Sequence, residues 1–371
     1  MGAHVFIVDS ETFPVTLYRR VAAVVREKRG GGRYAEKTRA DVLADLSCVR
    51  EGDRIFFYEV DKGFHGVYKA VSTPFIDKDE IPGQHGVYLF GSRDNPHFVR
   101  NSLILPNRVL IRPEPYLEKT VNEWRSAARS AFGRFTSAID LRSIFYKKAL
   151  GRGKSITHLF PQEEKKLTDL LLKVNNGIAG PEPDSDPYQP AHREQIRFDL
   201  RPTESGEVKY EKILEGWIIQ NIDNPLAGMG VFLGDVTDIQ SFANYVPVSI
   251  AGGNLDVLVL HGRQGARETD KITIIELKKG AVADRDIKQL EDYVRWSAEN
   301  LTKVITERAD RTEISAHSRI EMIQPVLIGK HIADSALRRC GQYAFGSQSP
   351  ILVTYTVNSD AYTVGFQVVG Y

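Results

Sequence analysis

Residues 252–293 contain Gly-Gly-Asn-Leu-Asp-Val-Leu-Val-Leu, a polar loop, Ile-Thr-Ile-Ile-Glu-Leu-Lys-Lys-Gly and, shortly after, Asp-Ile-Lys-Gln-Leu-Glu-Asp-Tyr. The runs 254–260 and 271–277 are apolar, and the segment between them, 261–270, is polar and holds Gly262 and Gly265. Two such runs around a Gly-containing loop predict a β-hairpin. Strand side chains alternate between faces. Ile272, Ile274, Glu276 and Lys278 therefore share one face, and Asp256 in the neighbouring strand can approach Glu276 across the ladder. Two carboxylates with a backbone carbonyl, that of Leu277, make a hard oxygen site that suits Mg²⁺ or Mn²⁺ better than zinc. Lys278 on the same face could orient a water, while the metal would polarise a phosphoryl oxygen.

At Asp256, Glu276, Leu277 and Lys278 the chain resembles the PD-(D/E)xK nuclease superfamily. Within it the stretch looks closest to the RecB-like branch and to NucS/EndoMS-type mismatch endonucleases. That branch carries a glutamine and a tyrosine one helical turn apart after the lysine strand, matched by Gln289 and Tyr293, and often a glutamate on an upstream helix, matched by Glu215. The resemblance implies catalytic Asp256, Glu276, Lys278, Gln289 and Glu215, with Asp256, Glu276 and Leu277 holding Mg²⁺ or Mn²⁺ and Tyr293 contacting the nucleic acid. Taken singly, each motif is more often scaffold than site, a Glu-x-Lys on a strand being explained by an exposed cross-strand ion pair; the order of all the motifs carries the resemblance.

The 371 residues are enough for two or three domains, and 42% hydrophobic with 26% charged residues is ordinary for a soluble globular protein. A net charge of +1 excludes a global basic field, so nucleic acid would be met by local patches. Cys48 and Cys340 fit no metal spacing, which argues against zinc and for a reducing, cytoplasmic setting. No apolar run reaches the roughly 18 residues of a membrane span, and the start lacks the basic leader of a signal peptide.

Along the chain, residues 4–8 predict a strand and 13–26 a helix, with Val15, Tyr18, Val21, Ala22 and Val25 at helical spacing. Gly30 to Gly32 predict a linker, and 39–46 a short helix. Strands are expected near 49–60, 64–71, 86–90 and 103–112, with a tight turn at Asp61-Lys62-Gly63. Residues 118–148 and 161–174 have helical patterns. Residues 175–190, rich in Pro, Gly and Asp, predict an interdomain linker. In the C-terminal part, helices are expected at 207–221, 284–300 and 334–340, with strands at 320–328 and 351–357 completing a mixed sheet. Glu215 lies on the helix face of Glu211, Leu214 and Ile218, either buried with a partner or exposed beside the stripe.

Residues 4–8, Gly52-Asp-Arg-Ile-Phe-Phe-Tyr58 and Gly66-Val-Tyr-Lys-Ala-Val71 resemble the PUA-like superfamily, particularly its EVE and YTH branches. The resemblance implies a small β-barrel that binds RNA, or DNA with a modified base held in an aromatic-lined pocket. Phe64 and His65, at the turn into a strand, could form the pocket rim, and Asp9 and Ser10 its polar groups; taken singly, each reads more readily as core or cap. The tryptophan cage of YTH members is missing, since the tryptophans are Trp124, Trp217 and Trp296.

The expected architecture is a multidomain α+β and α/β chain. It has a PUA-like domain at 1–115, a helical connector at 116–175, a linker at 176–194 and, at 195–371, a nuclease domain whose mixed sheet is flanked by helices. The expected activity is metal-dependent DNA endonuclease, in the manner of a modification-dependent restriction enzyme. A NucS-like mismatch-repair endonuclease and a non-cleaving binding protein with an inactive nuclease fold are the alternatives. The expected partner is double-stranded, modified DNA, with no membrane; double-strand cutting by one site per chain would call for a homodimer.

Overall fold

The computed structural model describes residues 2–8, 10, 12–24, 33–59, 62–79, 81, 105–121, 155–248, 253–262, 269, 271–305, 323–343 and 349–370. The chain divides into two compact units, Met1–Ile196 and Arg197–Tyr371.

In the first unit the elements run β1 (Ala3–Val8), α1 (Thr12–Arg19), β2 (Val21–Val24), α2 (Arg33–Leu46), β3 (Arg54–Glu59), β4 (Gly63–Ala70), β5 (Phe75–Ile76), β6 (Asn107–Val121), β7 (Ile156–Leu159), α3 (Pro161–Val174) and β8 (Glu194–Gln195). The strands follow the path β7-β1-β3-β4-β6-β5-β8, and β2 also joins β6. β6 is long enough, at 15 residues, to serve two partner sets. Its first half pairs with β2 and β5, and its second half with β4. The expected closed barrel is therefore replaced, among the described residues, by one open path with β7 and β8 at its ends. Val5, Phe56, Tyr58, Phe64 and Leu117 pack with Leu167 and Leu171 of α3 to form the core. Gly66 is needed where β4 crosses this core, because a Cβ there would lie 2.8 Å from the Phe56 ring.

Three sequence expectations change here. The helix expected over 13–26 ends at Arg19; Arg20 turns the backbone at φ 52°, and Val21–Val24 becomes a strand. Its β-branched ends fit either state locally, and the ladder to β6 decides. Residues 118–121, expected to open a helix, complete β6, where Val121 pairs with Phe64. The rest of that helix, the strand at 86–90 and Gly30 to Gly32 lie outside the described residues. Finally, the Pro-rich segment after α3 has no regular structure until β8 but is laced to the first unit. Gly180 donates to the Tyr116 carbonyl, Asp186 to that of Tyr18 and Tyr188 to that of Arg19. It is a strap on one unit, with the boundary after Ile196.

In the second unit the order is α4 (Glu211–Asn221), α5 (Gly230–Leu233), β9 (Ile239–Pro247), β10 (Asn254–His261), β11 (Lys271–Leu277), β12 (Ala281–Val282), α6 (Asp284–Ile305), β13 (Ile323–Gly329), β14 (His331–Ile332), α7 (Asp334–Cys340), β15 (Ile351–Asn358) and β16 (Thr363–Gly370). The main sheet runs β16-β15-β13-β11-β10-β9. It is mixed: β11, β13 and β15 are parallel neighbours, while β9, β10 and β16 join antiparallel. β11 sits inside the sheet, and Ile272 through Leu277 are all buried. A strand covered on both faces reads as a continuous apolar run, which is the pattern of its isoleucines. α4 packs on β10 and β11, and α6 on β13. No helix among the described residues is long and apolar enough to cross a membrane.

Candidate functional site

β10 and β11 pair antiparallel as far as Val257 with Ile275. One step beyond, the ladder passes from backbone to side chain. The Leu277 amide donates to Asp256 Oδ2 at 2.9 Å. This places Asp256 and Glu276 side by side where the strands part. Lys278 Nζ donates to Glu276 Oε1 at 2.6 Å and reaches Gln289 Oε1 at 3.5 Å. Gln289 Nε2 in turn donates to the Tyr293 hydroxyl at 2.6 Å. Gln289 and Tyr293 are one turn apart on α6, which aims both at the same point. The structure thus brings together Asp256, Glu276, Lys278, Gln289 and Tyr293.

Glu215 joins them from α4. Its side chain is buried, which settles the choice left open by the helix pattern. Oε1 accepts from Asn244 Nδ2 of β9 at 2.9 Å, and Oε2 is ion-paired with Lys212, one turn earlier on α4. Lys212 Nζ also stands 4.0 Å from Asp256 Oδ1 and over the Tyr245 ring, 4.8 Å from its centroid. Sequence reasoning missed Lys212 and Asn244. The i, i+3 spacing of Lys212 and Glu215 was readable as a helix pair. Nothing local signals Asn244, which arrives from 29 residues away.

The electrostatics are strained. Burial, and then the Asp256 charge, push the Glu276 carboxyl up to about 9. Burial also raises Asp256, against the pull of Lys212 and the Leu277 amide. For Lys278 burial works downward, but Glu276 and Asp256 outweigh it and hold the ammonium above its ordinary value. Burial and Glu276 raise the Tyr293 hydroxyl, so it stays protonated at neutral pH. Glu276 Oε2 is buried with no hydrogen-bond partner. An orphaned carboxylate oxygen beside a second carboxylate fits a hard divalent cation, which would satisfy that oxygen and cancel the repulsion. Among the described residues, though, no group of three or more His, Cys, Asp or Glu side chains is placed to hold a metal.

Of the four expected base-contacting residues in the first unit, Ser10, Phe64 and His65 are described, and Phe64 does not line a surface pocket. Phe64 is wholly buried and packs against Tyr58, ring centroids 5.0 Å apart and planes tilted by 51°. It belongs to the core rather than to a rim, because strand alternation turns it to the face opposite His65. Asp9 lies outside the described residues, and Ser10 is exposed in a turn. His65 is half-buried. Its ring lies 4.2 Å from the Phe13 ring, and Nε2 is 3.0 Å from Glu59 Oε2. Burial lowers its pKa, against the attraction of Glu59.

No protein-family model matches this chain, and no curated protein matches it. Among solved structures, a hypothetical protein from Leishmania major is 10% identical, with a TM-score of 0.29; the match covers 47% of this chain and 96% of that one. The human THYN1 protein in complex with 5-methylcytosine containing DNA is 13% identical, with a TM-score of 0.28, and 46% of this chain and 98% of that one are covered. The DUF55 domain of human thymocyte nuclear protein 1 matches at 13% identity, a TM-score of 0.29 and the same shares. Likeness at these identities and TM-scores assigns neither a family nor an activity to this chain.

Proposed function

We propose that the second unit is a metal-dependent endonuclease of the PD-(D/E)xK kind. In this reading the first unit, a PUA-like reader, directs it to DNA carrying a modified base. The observation that carries the proposal is the convergence of Asp256, Glu276 and Lys278 at the parting of β10 and β11, with Glu276 Oε2 buried and unpartnered. A buried carboxylate oxygen without a partner calls for an explanation, and a bound cation is one. Asp256 and Glu276, with the Leu277 carbonyl, would hold Mg²⁺ or Mn²⁺, which when bound supplies a polarised phosphoryl oxygen and an acidified water. Lys278 keeps a positive charge beside the point where negative charge develops on the phosphate. Gln289 fixes the Lys278 ammonium through its Oε1 and the Tyr293 hydroxyl through its Nε2. Tyr293, protonated, keeps its own hydrogen for a phosphate oxygen. Glu215 holds Lys212 near Asp256.

For the first unit the support is narrower. His65 against Phe13, with Glu59 at hydrogen-bond distance, combines an aromatic face with polar edges, which recognition of an extruded base requires. The rival reading is a non-cleaving copy of the fold, and the lack, among the described residues, of three or more His, Cys, Asp or Glu side chains placed together to hold a metal favours it. Plasmid and phage DNAs with different cytosine modifications, incubated with Mg²⁺, Mn²⁺ or EDTA, decide between them. Cation-dependent cutting concentrated on modified DNA is expected. No cutting of any substrate with either cation sinks the nuclease reading, and cutting confined to mismatched duplexes replaces it with a repair endonuclease.

A further inference from the structure

The geometry points to Lys212 as a resident counter-ion of the acidic cluster: its ammonium sits where a divalent cation would approach Asp256, and it must be displaced for the cation to bind. The inference rests on the metal-site reading above and adds the element that sets the site's affinity. Asp256 spends Oδ2 on the Leu277 amide, so Oδ1 is the oxygen left for a cation. That oxygen faces Lys212 Nζ at 4.0 Å. The same ammonium is ion-paired with Glu215, whose other oxygen is fixed by Asn244, and it rests on the Tyr245 ring. Lys212 is therefore clamped from three sides, with its side chain only 14% exposed. The second observation is independent of it: Glu276 Oε2, beside Asp256, is buried and unpartnered.

Two lysines, Lys212 and Lys278, thus stand among Glu211, Glu215, Asp256 and Glu276. Lys278 is ion-paired with Glu276. A divalent cation between Asp256 and Glu276 would meet Lys212 head-on, since like charges a few ångströms apart in a partly buried site repel strongly. Released from Asp256, Lys212 keeps Glu215 as its partner through the short i, i+3 connection, so displacement costs one contact and not both.

The test is Mn²⁺ binding by the full chain, followed by the paramagnetic resonance of free Mn²⁺, with wild type, Lys212→Met and Lys212→Arg. Lys212→Met is expected to bind Mn²⁺ at least about tenfold more tightly, the scale of one close like-charge contact, while Lys212→Arg stays near wild type. Equal or weaker binding by a folded Lys212→Met chain overturns the proposal. Because that variant leaves Glu215 buried without its cation, a second measurement uses wild type alone. Acylation of the Lys212 amine, read by mass spectrometry, is expected to rise when Mn²⁺ is added; unchanged or falling labelling overturns the proposal as well. If neither wild type nor the folded Met variant binds Mn²⁺, the metal-site reading itself fails. If wild type binds, and the Asp256→Asn control does not, only the role of Lys212 is at stake.

Discussion

Two buried charge clusters, one in each unit, are built on opposite terms. In the first unit the Arg108 guanidinium is entirely enclosed. It donates to the carbonyls of Leu105 and Asp79 and to the Tyr188 hydroxyl, and it stands 3.2 Å from Asp77. Tyr188 completes the set by donating to Asp77 at 2.5 Å. Burial and the Asp77 contact push its hydroxyl up to about 12, so it remains a donor. In the second unit Asp256 and Glu276 repel one another, and an oxygen of Glu276 has no partner. A satisfied ionic network holds structure in place, here the strap after α3. An unsatisfied one is maintained against stability and points to a task.

That contrast can be broken by experiment. The largest effect is expected at the acids: Asp256→Ala or Glu276→Ala should cut DNA cleavage by about a thousandfold or more, since metal-based charge stabilisation is worth several kcal/mol. Plasmid nicking measures it, and wild-type rates in either variant would put the second cluster in the same class as the first. Arg108→Met should act the other way round. Stranding Asp77 in the interior should destabilise the first unit by about 3–5 kcal/mol. Calorimetry should show its melting transition falling while that of the second unit stays.

A smaller change is expected at Lys278→Ala, about a hundredfold in kcat, the low end for a group acting in the transition state, with KM nearly unchanged. A rise in KM at constant kcat would make Lys278 a phosphate anchor. The smallest effect is on pH dependence. Glu276 titrates near 9 in the fold against 4.5 in the open chain. The folded state therefore binds the extra proton between these values, and without metal its stability should fall as pH rises from 4.5 towards 9. The slope is at most about 1.4 kcal/mol per pH unit. Glu276→Gln should flatten it in denaturant titrations; an unchanged slope would mean that Glu276 ionises freely.

The second unit was the more legible in sequence. Its site lies on two adjacent strands and one helix face, so alternation and helical spacing carry Asp256, Glu276, Lys278, Gln289 and Tyr293 to one place. Helix 334–340 was legible to the residue, because it has acid at its start and arginines at its end. The first unit resisted for a physical reason: its strands take their state from distant partners. Val21–Val24 and the end of β6 have patterns that also fit helices, and only ladder partners roughly 90 and 55 residues away in sequence decide. Phe64 and His65 were read together although they are adjacent strand residues, which must face opposite ways. The strap looked like a free linker because its prolines and glycines lack periodicity; Tyr188, its anchor, is a single residue whose partners are remote.

The hydrogen bond from the Leu277 amide to Asp256 has a bearing on how this gene can drift. Asp256 serves as a rung of the sheet, so selection for a folded protein protects it whether or not anything is cut. The Glu276 side chain is no rung of the sheet: among the described residues it is held by Lys278 alone, and its burial and its orphan oxygen count against the fold. On the proposed reading Glu276 is therefore the more sensitive marker of catalysis of the two acids, because its replacement by Gln would leave the Asp256 rung of the sheet in place.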